Sequence, residues 1–507
     1  MPADLRLFKD AYVDSVVQLS GTRAMYAVDG VRWAAAAMAT PTNLETLRSE
    51  GFPPPAAGAN DLFVAASAED DDVVKDALDA AEHAIFAARE SGADAPVKTR
   101  SLREAVQQQP GSNVAVISVP GAYAALEAHK ALSAGLDVLL FSDNVPVEAE
   151  VELKDRARQL GRLVMGPGAG TAMLAGTGLG FANVVAPGRV GVVAAAGTGA
   201  QEAMSLLDRW GVGVACVIGL GGRDLTAAVA GRTATQAVLS LRHDERIDAI
   251  LLVSKPPAEE VARAVLAAAG DTPLVAAYVG TTAVFELPPT AQVATTLEGG
   301  VLRTLDMLGM ARPDVVVSLE EDVAAAVERL DEGRTLVRGL YSGGTLCYES
   351  LTILGAILGD VYSNTPLDKR LAVPAPPDAH VCLDLGEEEY TKGRPHPMID
   401  PEARIELLRE QGQDPAVAAI LLDVVIGHGS HADPAGQLAP VCAEIHRAGG
   451  PQVVAYVLGT NRDPQGFDAQ RQTLRDAGCV VTETAARACF AAAAIATRRP
   501  TVVRQTW

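Results

Sequence analysis

The chain has 507 residues, of which 49% are hydrophobic but only 4% aromatic, and it contains 47 glycines. This length is enough for several domains, and small aliphatic side chains favour closely packed layers of helices on sheets. The formal net charge of −21 argues against nucleic acid and anionic membranes as partners, since both attract clustered lysine and arginine.

The cysteines and the N-terminus give expectations about location. The six cysteines lie far apart, in mostly apolar surroundings, and form no CxxC pair. Such a pattern is typical of reduced thiols, and we expect no metal site. The N-terminus has no basic stretch followed by an apolar one, and no apolar run reaches about 18 residues. We therefore expect a cytoplasmic protein.

Residues 1–108 predict a small α+β domain, in which the apolar run DLFVAAS precedes a helical pattern from Asp71 to Ser91. Residues 109–186 predict a β-α-β-α-β unit, with NVAVISVPG, DVLLFS and GRLVMG as its strands. Because strands joined by such crossovers are parallel, this unit is predicted to be a Rossmann-like half-domain.

The remainder of the chain contains an internal repeat. IDAILLVSKPP, from Ile247, matches VAAILLDVVIG, from Val417. TPLVAAYVGTT, from Thr272, matches GPQVVAYVLGT, from Gly450. Two related domains are therefore predicted.

These two domains are predicted to be flavodoxin-like, at 187–340 and 379–507, with the Pro-rich segment 341–378 as a linker. The fold class expected for the chain is α/β. It comprises several doubly wound parallel-sheet domains, Rossmann-like and flavodoxin-like, behind the small N-terminal α+β domain.

Two glycine-rich turns suggest an anion site. The strand RVGVVAA runs into GTG and a helix, and the strand of the second repeat runs into IGHGSHADPAG. Glycine lets a ligand approach the backbone, and the N–H groups that open a helix attract anions. If the repeats pack about a pseudo-twofold axis, both turns could hold one phosphate; the alternative is a pair of turns that bind nothing. The predicted phosphate-binding residues are Gly197, Thr198, Gly199, Gly427, Gly429 and Ser430.

Other polar residues follow predicted strands. Arg223 and Asp224, in GLGGRDL, are predicted to bind a substrate carboxylate or phosphate; alternatively they pair and fix the turn. Lys255, in LLVSKPP, is predicted to be a catalytic cation, and the alternative is a solvated lysine.

Three histidines and an arginine complete the predicted catalytic and substrate-binding groups. In GRPHP, prolines restrict Arg394 and His396, and His396 could transfer a proton. His428 could bind phosphate or polarise a carbonyl, and His431 could bind substrate. The alternative for the last two is structural capping.

The motifs resemble a known family. Residues 112–335, with MGPGAG and VGVVAAAGTG, are similar to the α subunit of succinyl-CoA synthetase. Residues 379–507 are similar to the carboxyl-terminal domain of its β subunit. Together with GGRDL, SKPP, GRPHPMIDP and LLDVV, the pattern resembles the FdrA family.

The function that the resemblance implies depends on where this chain differs from succinyl-CoA synthetase. Beyond TPLVAAYVGTTAVF, where the synthetase has a phosphorylated histidine, this chain reads ELPPTAQVATTLEGG, and it lacks the ATP-grasp portion. The FdrA resemblance implies a carbamoyltransferase subunit of the oxamate type, in allantoin breakdown, with phosphate or carbamoyl phosphate as substrate. Other transferase subunits and a separate carbamate kinase would be partners, in an oligomer.

Two other functions stay open. One is an acid–thiol ligase that binds coenzyme A at residues 112–185 and whose ATP-handling partner is another chain. The other is a scaffold without catalysis. The resemblance also implies that Gly170 and Thr171 bind substrate, although the FdrA pattern Gly-Pro-Asp-Cys-Gly-Thr is changed here to GPGAGT.

Overall fold

The computed structural model divides the chain into two compact units, residues 1–99 with 388–395, and residues 100–387 with 396–507. Helices among the described residues are too short or too polar to span a bilayer. The residues that the structure describes are 2–11, 13, 15–53, 55–58, 60–86, 99, 101–391 and 395–506.

The first unit has an antiparallel sheet in the order β1-β3-β2, with apolar residues of α3 buried against it. This agrees with the predicted α+β domain. Its elements in residues 1–99 are β1 (Ala3–Phe8), α1 (Ser15–Tyr26), β2 (Val31–Met38), α2 (Pro41–Ser49), β3 (Leu62–Ala68) and α3 (Asp71–Phe86).

The second unit begins with a helix and a three-stranded parallel sheet in the order β4-β5-β6. Its strands alternate with helices as the sequence predicts. The elements are α4 (Leu102–Gln108), β4 (Val114–Ile117), α5 (Gly121–Ser133), β5 (Asp137–Leu140), α6 (Val147–Gln159) and β6 (Val164–Met165).

A seven-stranded sheet follows, in the order β13-β12-β11-β9-β10-β7-β8. Its strands from β9 to β13 are parallel, and β7 with β8 forms an antiparallel edge. Its strands are β7 (Thr171–Leu174), β8 (Thr177–Gly180), β9 (Pro187–Ala194), β10 (Val214–Gly219), β11 (Ala249–Ser254), β12 (Leu274–Tyr278) and β13 (Ala291–Ala294). The helices are α7 (Gly197–Arg209), α8 (Arg232–Arg242), α9 (Glu259–Ala268), α10 (Leu297–Met307) and α11 (Leu319–Arg329).

The last sheet has six parallel strands in the order β15-β16-β14-β17-β18-β19. Its strands are β14 (Leu336–Tyr341), β15 (Val361–Tyr362), β16 (His380–Asp384), β17 (Val417–Val425), β18 (Gln452–Leu458) and β19 (Val480–Thr482). The helices are α12 (Gly344–Leu358), α13 (Glu388–Thr391, in the first unit), α14 (Glu402–Gln413), α15 (Pro434–Arg447), α16 (Phe467–Asp476) and α17 (Ala485–Ala496). The predicted α/β fold class, with several parallel sheets, is confirmed.

The structure differs from the prediction that residues 341–378 form a linker. This segment contains α12, which is largely buried, and β15, while β14 before it is central in the sheet. The misleading signal is the Pro-rich stretch before β16, which is irregular and connects two strands of one domain. The second flavodoxin-like domain therefore begins at about β14.

The two large sheets are copies of one topology. The order β13-β12-β11-β9-β10 corresponds to β19-β18-β17-β14-β16, and α7 corresponds to α12. Contacts between the copies are also reciprocal. Glu202 on α7 accepts the Ala485 N–H at the start of α17, and Glu349 on α12 accepts the Leu297 N–H at the start of α10. Such reciprocity is the signature of a pseudo-twofold interface.

Candidate functional site

The turn that opens α7 is the first half of the site. Buried β9 ends in small residues, and α7 begins at Gly197 with Ala196 as a cap that makes no side-chain hydrogen bond. The first N–H groups of a helix have no acceptor within it and attract negative charge. A Cβ at Gly197 would meet nothing closer than Thr171 Oγ1, at 3.6 Å, so this turn is open.

The facing half is the turn that opens α12. Here too the cap, Gly343, makes no side-chain hydrogen bond. The Thr345 N–H donates to Thr198 Oγ1 at 3.4 Å, across the interface between the repeats. A Cβ at Gly343 would lie 2.8 Å from Thr198 Cγ2, so only glycine fits this approach. The starts of α7 and α12 therefore meet as one surface, here called the paired turns (residues 197–199 and 343–345).

Thr171 adds a hydroxyl to the paired turns. It is 2% exposed, and its Oγ1 has no hydrogen-bond partner among the described residues. A buried hydroxyl without a partner is costly, so such groups in native proteins are usually ligand-facing or hydrated. Thr171 is thus placed to donate to a group held at Gly197.

Asp423 fixes the α12 turn from behind. Its carboxylate accepts the N–H groups of Ser342 and Gly343, each at 2.8 Å, and the Ser342 hydroxyl at 3.0 Å. Arg404 donates to the same carboxylate at 3.0 Å, and both side chains are almost fully buried. The charges compensate each other, and the turn is held in one conformation.

Asp384 lies at the start of α12. Its Oδ1 accepts the Gly386 N–H at 3.0 Å, and Oδ2 lies 2.5 Å from where a Cβ would stand on Gly344. Burial, with the nearby charges of Glu387 and Asp423, raises the pKa of the Asp384 carboxyl to about 7, although Lys255 opposes this. The group can therefore exchange a proton near neutral pH.

The structure brings two predicted catalytic residues to Asp384. His396 Nε2 lies 2.7 Å, and Asp384 Oδ1 3.2 Å, from the same Cβ position on Gly386. Burial lowers the pKa of His396 to about 4. Its Nδ1 accepts the Met398 N–H at 3.2 Å, so the neutral ring carries its proton on Nε2.

Lys255 approaches from the other repeat. It follows β11, is exposed, and its Nζ lies 4.8 Å from the centre of the Tyr348 ring on α12. This cation–π contact directs the ammonium toward the α12 turn, where it also attracts Asp384. The site thus collects a cation, a carboxyl and an imidazole beside the paired turns.

The loop containing Gly427, Gly429 and Ser430 is not the second half of the site. The Gly427 N–H already donates to Gln465 Oε1 at 3.0 Å, and a Cβ at Gly429 would strike Phe181 at 2.8 Å. The Ser430 N–H bonds within the turn, although its buried hydroxyl has no partner among the described residues. This correction has a physical cause, since backbone groups that are already bonded cannot hold a phosphate.

The helix after that loop also disfavours an anion. Asp433 caps α15, accepting the Gly436 N–H at 3.0 Å, and its charge would repel a phosphate. His431 Nδ1 accepts the Asp433 N–H, which is the capping alternative considered from the sequence. His428 is exposed and pairs through its backbone with Ala182.

Arg223 and Asp224 have structural partners. Arg223 donates to Glu150 at 3.0 Å and to the Val145 carbonyl at 2.7 Å. Asp224 is fully buried; it pairs with Lys154 at 2.7 Å and accepts two N–H groups at the start of α8. The two side chains fix the local structure through these separate partners and do not pair with each other, as the alternative from the sequence had it; Asp224 is fully buried and satisfied.

Of the remaining predicted residues, Gly170 lies beside Phe141 and Phe181, next to Thr171. Phe181 stacks loosely on His396, with 6.0 Å between ring centres. Arg394 lies outside the described residues.

Sequence reasoning missed the α12 turn. GGTLCYES, from Gly343, and AGTGAQEA, from Ala196, share Gly, Thr and Glu at the same spacing. The shared residues are Gly344 with Gly197, Thr345 with Thr198 and Glu349 with Glu202. This short match was the available signal for the second half of the site.

Comparisons with known proteins assign the chain to a family. The Escherichia coli (strain K12) protein YahF, named as an uncharacterized protein, is 38% identical over 491 residues, which cover 94% of this chain and 95% of YahF. The chain belongs to the YahF family. In this YahF-family chain, residues 340–495 match the family model for CoA-ligase, and residues 1–100 match that for AllF, heavy metal-associated domain. Residues 1–100 nevertheless contain no cysteine, and the described residues hold no cluster of His, Cys, Asp or Glu suited to a metal ion.

Part of the YahF-family chain also resembles CoA ligases. Succinate–CoA ligase [ADP-forming] subunit alpha 2 of Archaeoglobus fulgidus is 29% identical over 159 residues, or 31% of this chain and 54% of that subunit. The alpha subunit of Aquifex aeolicus is 28% identical over 193 residues, or 36% and 61%. A solved structure of ATP citrate lyase from Methanothrix soehngenii, in complex with citrate and coenzyme A, aligns over 42% of each chain at 19% identity and a TM-score of 0.35.

These findings correct one prediction. The sequence was expected to encode a carbamoyltransferase, but the matched family model and the succinate–CoA ligase subunits point to CoA ligases. The carbamoyltransferase prediction is therefore wrong. The alternative weighed beside it, an acid–thiol ligase, agrees with the relatives.

Proposed function

We propose that the chain is the acyl-transferring subunit of an acid–thiol ligase, which exchanges an acyl group between phosphate and coenzyme A. A separate chain would use ATP to make the acyl phosphate. Similarity to succinate–CoA ligase α subunits and the CoA-ligase match at 340–495 support this class. An AllF-type domain followed by a CoA-ligase domain also fits the FdrA resemblance.

The observation that carries the proposal is the pair of uncapped helix starts that meet across the repeats. The cap residues of α7 and α12 make no side-chain hydrogen bond, and Thr198 of one turn contacts Gly343 and accepts the Thr345 N–H of the other. Two helix N-termini that lie close together favour an anion more than either does alone. A phosphate at Gly197, near Thr171 Oγ1, would satisfy both.

The sequence favours an acyl phosphate as the form in which phosphate arrives. The loop after β12 contains no histidine, so the phosphohistidine carrier that the synthetase resemblance implies is missing there. Backbone N–H groups would bind the phosphate and stabilise the oxyanion formed when a thiol attacks the acyl carbon. Lys255 would add a positive charge at the α12 side.

Coenzyme A would bind the half-domain of β4, β5 and β6. Ligands of parallel sheets bind beyond the carboxyl ends of the strands. There the two loops after β4 and β5 approach so closely that a Cβ on Gly121 would stand 2.3 Å from the Asp143 carbonyl oxygen. Helix α5 has no side-chain cap and no acidic residue in its first turn, which leaves N–H groups for the phosphates of coenzyme A.

The test is the half-reaction that needs no nucleotide. We expect the purified chain to convert succinyl-CoA or acetyl-CoA and inorganic phosphate to acyl phosphate and free coenzyme A, measured as thiol release and as hydroxamate from the acyl phosphate. Thiol release that does not depend on phosphate, or none at all, would overturn the proposal.

Gly197→Asp tests the location. The site has room for the side chain, and a carboxylate in the first turn suits the helix but repels phosphate. We expect phosphate affinity, measured by calorimetry, to fall about tenfold or more, with unchanged thermal stability. The matched control is Gly197→Asn, which has the same size without the charge and should bind more tightly than the aspartate variant. Equal affinities in the two variants would place the anion elsewhere.

A further inference from the structure

Asp384 is a buried carboxyl group placed where the proposed reaction needs a proton carrier. It ends β16, in register with Tyr341 at the end of β14, and so reaches the start of α12. It is 5% exposed. We infer that Asp384 is the acid–base catalytic residue of this site, accepting the thiol proton in thioester formation and returning it in phosphorolysis. This inference rests on the proposed function.

The two oxygens of the carboxyl group have different roles. Oδ1 is held by the Gly386 N–H at 3.0 Å, which orients the group. Oδ2 has no hydrogen-bond partner among the described residues and lies against Gly344, in the paired turns. A group that is fixed at one oxygen and open at the other is suited to exchange a proton with a bound reactant.

The chemistry balances without a further reactant. In thioester formation, Oδ2 takes the proton of the thiol as the sulfur electron pair forms a bond to the acyl carbon. The bond from that carbon to the phosphate oxygen then breaks, and its electron pair leaves with phosphate. The departing phosphate takes up a proton from water and leaves as HPO4²⁻, while Asp384 gives the thiol proton to water, so the proton count balances. Phosphorolysis runs the same steps in reverse, with Asp384 protonating the departing thiolate.

Charged groups on every side of Asp384 set the pH range. Lys255 faces it from the first repeat and favours the carboxylate, whereas Asp423, on β17, and Glu387, on the following loop, favour the acid. His396 Nε2 approaches the same Gly386 position, but its ring is neutral above about pH 4.

Because burial raises the pKa of Asp384 to about 7, both forms exist at neutral pH. Thioester formation needs the carboxylate, so its rate should rise through about pH 7. Phosphorolysis needs the acid, so its rate should fall through the same range.

The decisive variant is Asp384→Asn, which keeps the oxygen that accepts the Gly386 N–H but cannot carry the proton. We expect transfer in both directions to fall about 10²–10⁴-fold, the usual contribution of a general acid or base. Inorganic phosphate should bind at least as tightly as to the wild type, because a negative charge beside it is gone. The matched control, Glu387→Gln, removes one exposed carboxylate nearby; it should move the midpoint of the pH profile slightly lower but leave the rate on the plateau within about threefold.

A second readout separates proton transfer from structural damage. With a thioester of an aryl thiol, which leaves without protonation, the defect of Asp384→Asn in phosphorolysis should largely disappear. The pH dependence near 7 should also be lost in this variant.

The outcomes are distinguishable. If the wild type shows no phosphate-dependent thiol release, the proposed function fails and this inference falls with it. If the wild type is active but Asp384→Asn behaves like Glu387→Gln, or is equally slow with alkyl and aryl thioesters, Asp384 is not the proton carrier while the proposed function stands.

Discussion

At the residue scale, removal of the Thr171 hydroxyl is predicted to have opposite effects on protein stability and on phosphate affinity. Its oxygen is buried without a partner among the described residues, near Gly197. Thr171→Val removes that oxygen at nearly constant shape, so the stability of the ligand-free protein should stay equal or rise by about 1 kcal/mol. Phosphate affinity should fall about tenfold or more, since a hydrogen bond to a charged group is lost. Thermal unfolding and calorimetry measure the two effects.

Ser205 provides the control for Thr171. Its hydroxyl is also buried without a partner among the described residues, but Ser205 lies about two helical turns after Thr198, away from the start of α7. Ser205→Ala should leave phosphate affinity unchanged. Were both variants to bind phosphate as the wild type does, Thr171 would be an ordinary core residue.

At the element scale, the sequence predicted one helix start and misplaced the other. Gly197 and Gly199 follow a long apolar strand, so a local pattern was enough to place the α7 turn. The α12 turn follows β14, which contains an arginine, Arg338, and the Pro-rich stretch beyond α12 gives the segment the composition of a linker. The histidine-rich loop after β17 gave a stronger but misleading signal. Which free N–H groups meet across an interface depends on packing between distant segments, which a local pattern does not contain.

The helices α7 and α12 also bury ionisable groups. Glu349 Oε1 accepts the Leu297 N–H at 2.6 Å, but Oε2 has no partner among the described residues. Burial, with Glu202 and Glu298 nearby, raises the pKa of Glu349 to about 8. Between about pH 4.5 and 8 the unfolded chain releases this proton and the folded protein keeps it, so rising pH lowers the free energy of unfolding.

The variant Glu349→Gln should therefore flatten this pH dependence. The amide oxygen can still accept the Leu297 N–H, but the side chain cannot ionise. Urea unfolding at pH 5.5 and pH 8 should show a smaller loss of stability in the variant than in the wild type. Some loss should remain, because the pKa of Glu202 is also raised, to about 7. An unchanged loss would mean that Glu349 is ionised in the folded protein.

At the scale of the whole molecule, the two duplicated sheets pack together through helices that face each other across one interface. The buried ion pair of Glu298 with Arg487 connects α10 of one copy to α17 of the other. Reciprocal contacts of Glu202 and Glu349 repeat on both sides of the same interface. Association of the copies is thus what brings the starts of α7 and α12 together.

Hydrogen exchange tests this two-sided arrangement in the intact chain. The first N–H groups of a helix exchange readily because they lack acceptors within the helix, and a bound phosphate would supply them. Saturating phosphate should slow exchange in peptides that cover 195–203 and 342–350 together. A peptide that covers 426–432 is the internal control, since Gly427 is already bonded to Gln465. Protection confined to one copy, or centred on the control peptide, would show that the anion is not shared by the paired turns.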